Sequence, residues 1–315
     1  MKPLSVLHDT FGRPLLNLRI SVTQQCNYNC TYCHREGEAE QSNNVEMTVE
    51  EIVRIAKVAV DLGVTRVKLT GGEPLMRKDL CQIVSGIADI AGLKDLSLTT
   101  NGSMLSDIAK ELHTAGLNRI NISLATLNSE IYHKLTSGTL DKALAGIEAA
   151  VKAGFNPVKL NMVILKGINE QDSSDMIAYA EKTRVILQLI ELDPVNINDT
   201  YYKQYHHSLD EQKEMLRQKA LNIKQRHFMH NRLIYHLPNT TTIEVVHPIE
   251  NTDFCMHCTR LRITSNGKLK PCLMQNNQLT DILTPIRQGA DNEKLKQLFK
   301  QANQQREPYN KNTNT

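Results

Sequence analysis

Six of the seven cysteines in this chain fall into two tight triplets. The first is Cys26-Asn-Tyr-Asn-Cys30-Thr-Tyr-Cys33, with the spacing C-x3-C-x2-C, and the second is Cys255-x2-Cys258-x13-Cys272. A cubane 4Fe–4S cluster has four irons, so a set of three thiolates leaves one iron open to bind a small molecule. Structural zinc normally takes four protein ligands, commonly as paired C-x2-C units. The first triplet has one C-x2-C step and no fourth cysteine nearby, although His34 adjoins it. An odd cysteine count with no apolar leader also fits a disulfide framework poorly. The expected metal ligands are therefore Cys26, Cys30 and Cys33 in one cluster and Cys255, Cys258 and Cys272 in another. Cys81 sits in an expected helix, Asp79 to Ile90, and reads as a small buried hydrophobe.

The elements that must position these thiols alternate in type from residue 18 to about 193. Strand patterns rich in β-branched and aliphatic residues occur at Leu18–Thr23, Arg66–Thr70, Asp95–Thr100, Arg119–Leu124, Val158–Leu165 and Ile186–Leu192. Helical patterns lie between them, the clearest opening at Thr48 with Glu51 as a capping box. Ile52, Ile55, Ala56, Ala59 and Val60 then mark one buried face. Further helices are expected near Leu105–Ala115, Lys142–Ala153 and Gln171–Lys182, two of them closed by Gly116 and Gly154. Such βα units imply an α/β fold with a parallel sheet, two units short of a full TIM barrel. The expected architecture is a partial (βα)6 TIM-type barrel over residues 1–193, then a C-terminal extension, 194–305, that carries the second cluster.

In that extension, 196–207 reads as a polar loop, and Ser208-Leu-Asp-Glu211 as a capping box opening a helix to about Asn222. Arg232–His236 and Thr242–Val246 are expected to form a hairpin across Pro238-Asn239. A last helix is expected over Asn292–Ala302, and 306–315 reads as a disordered tail. The spacing of His206, His207, His227, His230 and His236 places them on no single helical face, so they read as solvated surface.

A composition of 40% hydrophobic and 23% charged residues is that of a soluble globular protein. No apolar run approaches the roughly 18 residues of a membrane span. A net charge of +3 gives no argument for nucleic acid, but suits a small anionic substrate if the cations converge. Reduced cysteines and the lack of an export signal point to the cytoplasm.

Active sites in parallel α/β barrels lie at the C-terminal ends of the strands, and the first cysteine triplet follows the first strand. The second strand ends in Thr70-Gly71-Gly72-Glu73-Pro74, where glycines let backbone approach a ligand. The third ends in Thr99-Thr100-Asn101-Gly102, the fourth holds Asn121-Ile-Ser123, and the fifth holds Lys159, a point charge suited to phosphate.

The C-x3-C-x2-C triplet followed by Gly-Gly-Glu-Pro resembles the radical S-adenosylmethionine (SAM) enzymes, whose fold is a partial, laterally open barrel. With the second triplet enclosing Thr259-Arg260-Leu261-Arg262, the chain closely resembles the GTP 3′,8-cyclase family of molybdenum-cofactor biosynthesis. The likeness runs from Phe11-Gly-Arg-Pro14 through Arg19-Ile-Ser-Val-Thr23 to Lys270-Pro-Cys-Leu273. It implies two 4Fe–4S clusters and SAM as cofactors, with SAM contacts at Tyr32, Gly72 and Ser123. It implies GTP contacts at Arg19, Lys68, Thr99, Lys159, Arg260, Leu261 and Arg262. The implied lyase reaction is cleavage of SAM to a 5′-deoxyadenosyl radical, abstraction of the ribose 3′ hydrogen, and attack on C8 of guanine. This gives 3′,8-cyclo-7,8-dihydroguanosine 5′-triphosphate. No side chain is singled out as catalytic, since the radical chemistry is centred on the cluster of Cys26, Cys30 and Cys33. Implied partners are GTP, a reductant of unknown identity and cyclic pyranopterin monophosphate synthase as recipient of the product, with no nucleic acid or membrane. A homodimer is one allowed assembly.

The chain departs from the bacterial pattern at Lys68 and Gln188, which replace arginines, and at Ala125, which replaces an aspartate. Its Asn-Thr-Asn-Thr ending lacks the bacterial Gly-Gly tail, and the loop His34-Arg35-Glu36-Gly37 is more like that of archaeal members. Two other readings remain: a radical SAM enzyme with an auxiliary cluster that modifies a peptide, and a zinc-stabilised RNA-binding protein. The peptide reading has no obvious use for Arg260, Arg262 and Lys159, and the RNA reading lacks a fourth zinc ligand at both triplets and a basic-aromatic stripe beside either.

Overall fold

The computed structural model describes residues 6–39 and 46–310. The six expected strands form within about two residues of the expected bounds: β1 (Asn17–Ser21), β2 (Arg66–Thr70), β3 (Asp95–Thr100), β4 (Arg119–Ser123), β5 (Val158–Ile164) and β6 (Ile186–Glu191). They are parallel and adjacent in chain order. Helices Val49–Asp61, Leu80–Ala88, Leu105–Thr114, Leu140–Lys152 and Ser173–Thr183 return the chain between them. The first helix starts as expected: Thr48 Oγ1 accepts from Glu51 N at 3.3 Å, and the Glu51 carboxylate accepts from Thr48 N at 2.7 Å. Cys81 is half-buried against the core rather than fully enclosed.

The C-terminal region extends this sheet instead of forming a layer of its own. β7 (Asn222–Arg226), β8 (Arg232–His236) and β9 (Thr242–Val246) attach through β9, which runs parallel to β6. β10 (Arg260–Ile263), β11 (Lys268–Lys270) and β12 (Thr280–Asp281) attach through β10, which runs parallel to β1. The result is one 12-stranded sheet, β12-β11-β10-β1-β2-β3-β4-β5-β6-β9-β8-β7, that stays open.

Side chains on a strand alternate between its faces, and this alternation explains the layering. Leu18, Leu69, Leu98, Ile122, Leu160 and Leu189 are fully or almost fully buried beneath the helices. Most of the intervening positions are polar, with Val163 and Ile190 as apolar exceptions, and their register aligns Arg262 with Arg19, Arg19 with Lys68, and Asn121 with Lys159. One face of the sheet is therefore an aliphatic core and the other a charged concave surface.

Several local expectations change. The Ser208–Glu211 capping box does not form, because Ser208 turns back on Asp210: its Oγ accepts from Asp210 N at 3.3 Å. That helix runs Asp210–Lys219. The expected loop 196–207 contains a helix, Asp199–Tyr205, capped by Asn198 and packed through its tyrosines against Leu165 and Leu192. Helix Ser129–Thr136 and β7 were not foreseen. Residues 306–310 are placed, with Arg306 only 1% exposed, whereas 311–315 lie outside the described residues. Among the described residues no helix is long and apolar enough to cross a membrane.

Candidate active site

All six triplet cysteines line one cavity of about 350 Å³ at the C-terminal ends of the parallel strands. Tyr32, Gly72 and Ser123 line the same cavity, as do Arg19, Lys68, Thr99, Lys159, Arg260 and Arg262. The fold thus gathers residues that lie up to 253 positions apart in the chain (Arg19 and Cys272).

The loop that carries Cys26, Cys30 and Cys33 is sewn to the tips of β2 and β3. Gly72 N donates to Thr23 O at 2.8 Å and Glu73 N to Gln25 O at 2.7 Å. A Cβ at Gly72 would collide with the carbonyl oxygens of Gln24 and Gln25, so the backbones can approach only with glycine there. Asn101 Nδ2 donates to Asn27 Oδ1 at 2.8 Å, and the buried Glu73 carboxylate accepts from Thr100 Oγ1 at 2.6 Å and Asn101 N at 2.7 Å. Burial pushes the Cys30 thiol up to about 12, and the neighbouring Cys33 and Cys26 add to the effect. Burial also raises Cys26 and Cys33. Crowded thiols that resist ionisation as free groups suit a site where iron supplies the compensating charge.

The second triplet sits in a different field. Arg13 Nη1 donates to Cys255 O at 2.9 Å, and Arg306 Nη2 donates to Cys258 O at 2.5 Å. Asp9 joins the two guanidinium groups, 2.8 Å from Arg13 Nε and 3.6 Å from Arg306 Nη1. Burial opposes ionisation of Cys258, but Arg306 and then Arg260 pull its thiol below the usual value. Burial keeps Cys272 above it. Among the described residues, no group of three or more His, Cys, Asp or Glu side chains forms a ready-made mononuclear metal site. Two all-thiol triplets line one cavity, and three thiolates are the donor set that fits a cubane iron–sulfur cluster and would leave one of its irons without a protein ligand.

Between the triplets lies a cationic floor. Glu36 bridges Arg19 and Arg262, with Nη1 atoms at 3.1 and 2.5 Å, and accepts from Thr70 Oγ1 at 2.8 Å. Burial opposes it, yet Arg19 and Arg262 hold the Glu36 carboxyl well below the usual carboxylate range. Burial, then Arg19, Arg262 and Arg232, act against the Arg260 charge. A guanidinium stays protonated, so this repulsion persists until an anion relieves it. Lys68 Nζ donates to Asn121 Oδ1 at 2.8 Å, Asn121 Nδ2 to Gln188 Oε1 at 2.9 Å, and Gln188 Nε2 to Glu244 Oε2 at 2.5 Å. Glu244 also pairs with Lys159 and, at 3.1 Å, with Arg226.

β10 places the three residues of Arg260-Leu261-Arg262 differently. Arg260 and Arg262 occupy alternate positions and reach the cavity; Leu261, between them, is fully buried in the aliphatic core and does not line it. A direct side-chain contact from Leu261 to a ligand in the cavity is therefore excluded by strand alternation. His230 also departs from the solvated reading: it is 8% exposed, stacks on Phe254 at 4.0 Å and lines the cavity. His206 instead pairs with Glu191 at 2.9 Å. Glu36, Glu244, Arg232 and Arg306 were not singled out. For Arg232 and Glu244, the available signal was a charge within an otherwise apolar strand pattern; Glu36 had only its place beside the first triplet.

The radical SAM superfamily model matches residues 20–180, and the Molybdenum Cofactor Synthesis C model matches residues 185–312. A Thermococcus kodakarensis protein named "Probable GTP 3′,8-cyclase" is 47% identical over 310 residues, covering 96% of this chain and 99% of its own. The chain belongs to the GTP 3′,8-cyclase family of the radical SAM superfamily. A Methanocaldococcus jannaschii protein of the same name is 42% identical over 304 residues, covering 96% and 99% of the two chains. The fold likeness reaches further than this family. Streptococcus suis SuiB bound to S-adenosylmethionine superposes with a TM-score of 0.64 at 17% identity, over 85% of this chain; this chain spans 64% of that one. AdoMet-bound anSMEcpe gives 0.61 at 18% identity, over 84% and 77% of the two chains.

Proposed function

We propose that the cyclase works with GTP lying across the cationic floor, between two 4Fe–4S clusters held by the two cysteine triplets. The reaction of the family is the SAM-dependent conversion of GTP to 3′,8-cyclo-7,8-dihydroguanosine 5′-triphosphate, the first step of molybdenum-cofactor biosynthesis. The observation that carries this reading is the single cavity in which both triplets meet Arg19, Arg260, Arg262, Lys68 and Lys159. A triphosphate bears several negative charges, and guanidinium forks match its oxygens bidentately. When bound, the N-terminal cluster and SAM supply the one-electron chemistry that removes a hydrogen atom from the GTP ribose.

The chain's own residues do the rest by placement. Gly72 keeps backbone open beside the cluster loop, and Tyr32 and Ser123 border that end of the cavity as SAM contacts. Arg260 and Arg262, next to Cys258 on β10, tie the substrate's position to the second triplet. Thr99 borders the substrate from β3. Fixing the ribose against the radical source turns a collision into a near-unimolecular step, and enclosure excludes water and stray hydrogen donors. Because the reaction begins with a reduction, it needs an external one-electron donor, and its product passes to cyclic pyranopterin monophosphate synthase.

The test is anaerobic incubation of the reconstituted protein with SAM, reductant and GTP, scored for 5′-deoxyadenosine and cyclised GTP together. Cys30→Ala abolishes both; Cys272→Ala retains deoxyadenosine formation and loses the cyclised product. Normal product from Cys272→Ala would remove the second triplet from substrate placement.

A further inference from the structure

Among the described residues, Glu36 is the acid of the cluster loop that binds the cationic floor, and it does so from a distorted backbone. Arg35 and Glu36 both adopt left-handed conformations, with φ of 46° and 52°, and Gly37 follows at 69°. A left-handed conformation is unfavourable for each non-glycine residue that adopts it. The turn is anchored on either side of its apex. Asn196 Nδ2 donates to His34 O at 3.1 Å and to Glu38 O at 2.8 Å, and the Glu38 carboxylate accepts from Ser265 Oγ at 2.8 Å. A Cβ at Gly37 would strike the Leu273 carbonyl, so the turn is wedged against the strand end that carries Cys272. At the apex, the Glu36 carboxylate gathers two guanidinium groups and the Thr70 hydroxyl. Two guanidinium Nη1 atoms and a hydroxyl converging on paired oxygens form a charge-assisted donor set of the kind a phosphate group takes.

We propose that Glu36 is an internal stand-in for a phosphate, and that the substrate's triphosphate competes with its carboxylate for Arg19 and Arg262. This deepens the GTP reading and rests on it. The carboxylate offsets the repulsion between Arg19 and Arg262, the two cations it binds. It also sets a threshold. A single weak anion gains little by displacing a partner already bonded to two arginines, whereas a polyanion can bind the remaining cations first and then take over this pair. The strained turn makes the exchange easier than it would be from relaxed backbone, because any relaxation of Arg35 and Glu36 on release returns free energy.

The test measures binding of GTP, of inorganic triphosphate and of guanosine to anaerobically reconstituted holoprotein by calorimetry, in wild type and in Glu36→Gln and Glu36→Ala. Gln keeps the size and an acceptor oxygen while removing the charge, and Ala removes the group altogether. The expected result is binding of GTP and triphosphate about tenfold tighter in both variants, comparable to the weak end of one charged hydrogen bond, with guanosine unchanged. Unchanged or weaker triphosphate binding overturns the proposal and makes Glu36 a fixed strut for the arginines. If wild type binds triphosphate but gains nothing from the guanosine moiety, the GTP reading fails while the role of Glu36 is still decided by the triphosphate series.

Discussion

Arg306 offers a sharp test of how the second triplet is held, because its contacts are few and almost wholly buried. Its side chain is 1% exposed and donates to Cys258 O at 2.5 Å and to Asn303 Oδ1 at 2.9 Å. Replacing it with Met fills much of the same volume but strands the Cys258 carbonyl and the Asn303 amide oxygen. Asp9 is not stranded, since Arg13 still binds it at 2.8 Å and the Phe11 and Arg13 amides at 3.0 Å each. Two unsatisfied acceptors at about 1–3 kcal/mol each give an upper loss near 6. Removal of one buried, partnerless donor, Nε, offsets part of that, so the expected loss is about 2–4 kcal/mol. The assay is urea unfolding of the apoprotein together with iron content after anaerobic reconstitution. Arg306→Met should lower the midpoint and reduce iron from about eight to about four per chain, since only one cubane loses its support. Arg306→Lys, which retains the charge but not the fork, should fall between. A normal midpoint and full iron in Arg306→Met would refute the view that this guanidinium holds the Cys258 backbone in place.

Arg260→Ala and Arg262→Ala should each weaken GTP binding by about 1.5–3 kcal/mol, and Arg260→Lys should recover only part of it because an ammonium lacks the paired donors; calorimetry decides this. Gly72→Ala should cost about 1–3 kcal/mol in the cluster loop and impair SAM retention, since the added methyl meets the Gln24 and Gln25 carbonyls; equilibrium SAM binding and unfolding measure the two effects. Burial lowers Lys159 to about 8, outweighing the opposite pull of Glu244, so its charge is present below that pH and lost above it. GTP affinity should therefore fall as pH rises from 7 to 9.5, and Lys159→Gln should flatten that part of the profile; an identical decline in the variant would exclude Lys159 as the titrating group.

The parallel strands and the helix opened by Thr48 were legible because each element's own pattern specifies it: alternation or i, i+4 spacing, with caps and glycines at the ends. The two triplets were legible because their spacing is local. Partners brought together only by the sheet were not. β10 is four residues long; its hairpin partner β11 follows within a few residues, but its place beside β1, some 240 positions away, is set only by the sheet. Once it is a strand, alternation sends Arg260 and Arg262 to the cavity and Leu261 to the core. Arg306 follows the same logic: the polar run around it reads as tail, but Asp9 and Cys258 supply a buried niche that only the fold creates.

The counter-ions of the cavity follow from its charge. A surface meant for a polyanion must hold several cations within a few ångströms, and that arrangement is unfavourable by itself. The chain offsets the repulsion with acids supplied from outside the first six strands, Glu36 from the cluster loop and Glu244 from β9. These two acids differ in kind. Glu244 binds Lys159, Arg226 and Gln188 from the middle of a strand, where the backbone cannot yield, and burial opposes but those cations hold it down at about 2. Glu36 binds from a turn whose conformation is already unfavourable. If one cation–acid contact gives way to substrate, the physics therefore selects the loop and not the strand: the Arg19–Glu36–Arg262 bridge opens while Lys159–Glu244 stays closed. A crystal structure with bound GTP in which Glu244 had left Lys159 and Glu36 had kept both arginines would reverse that order.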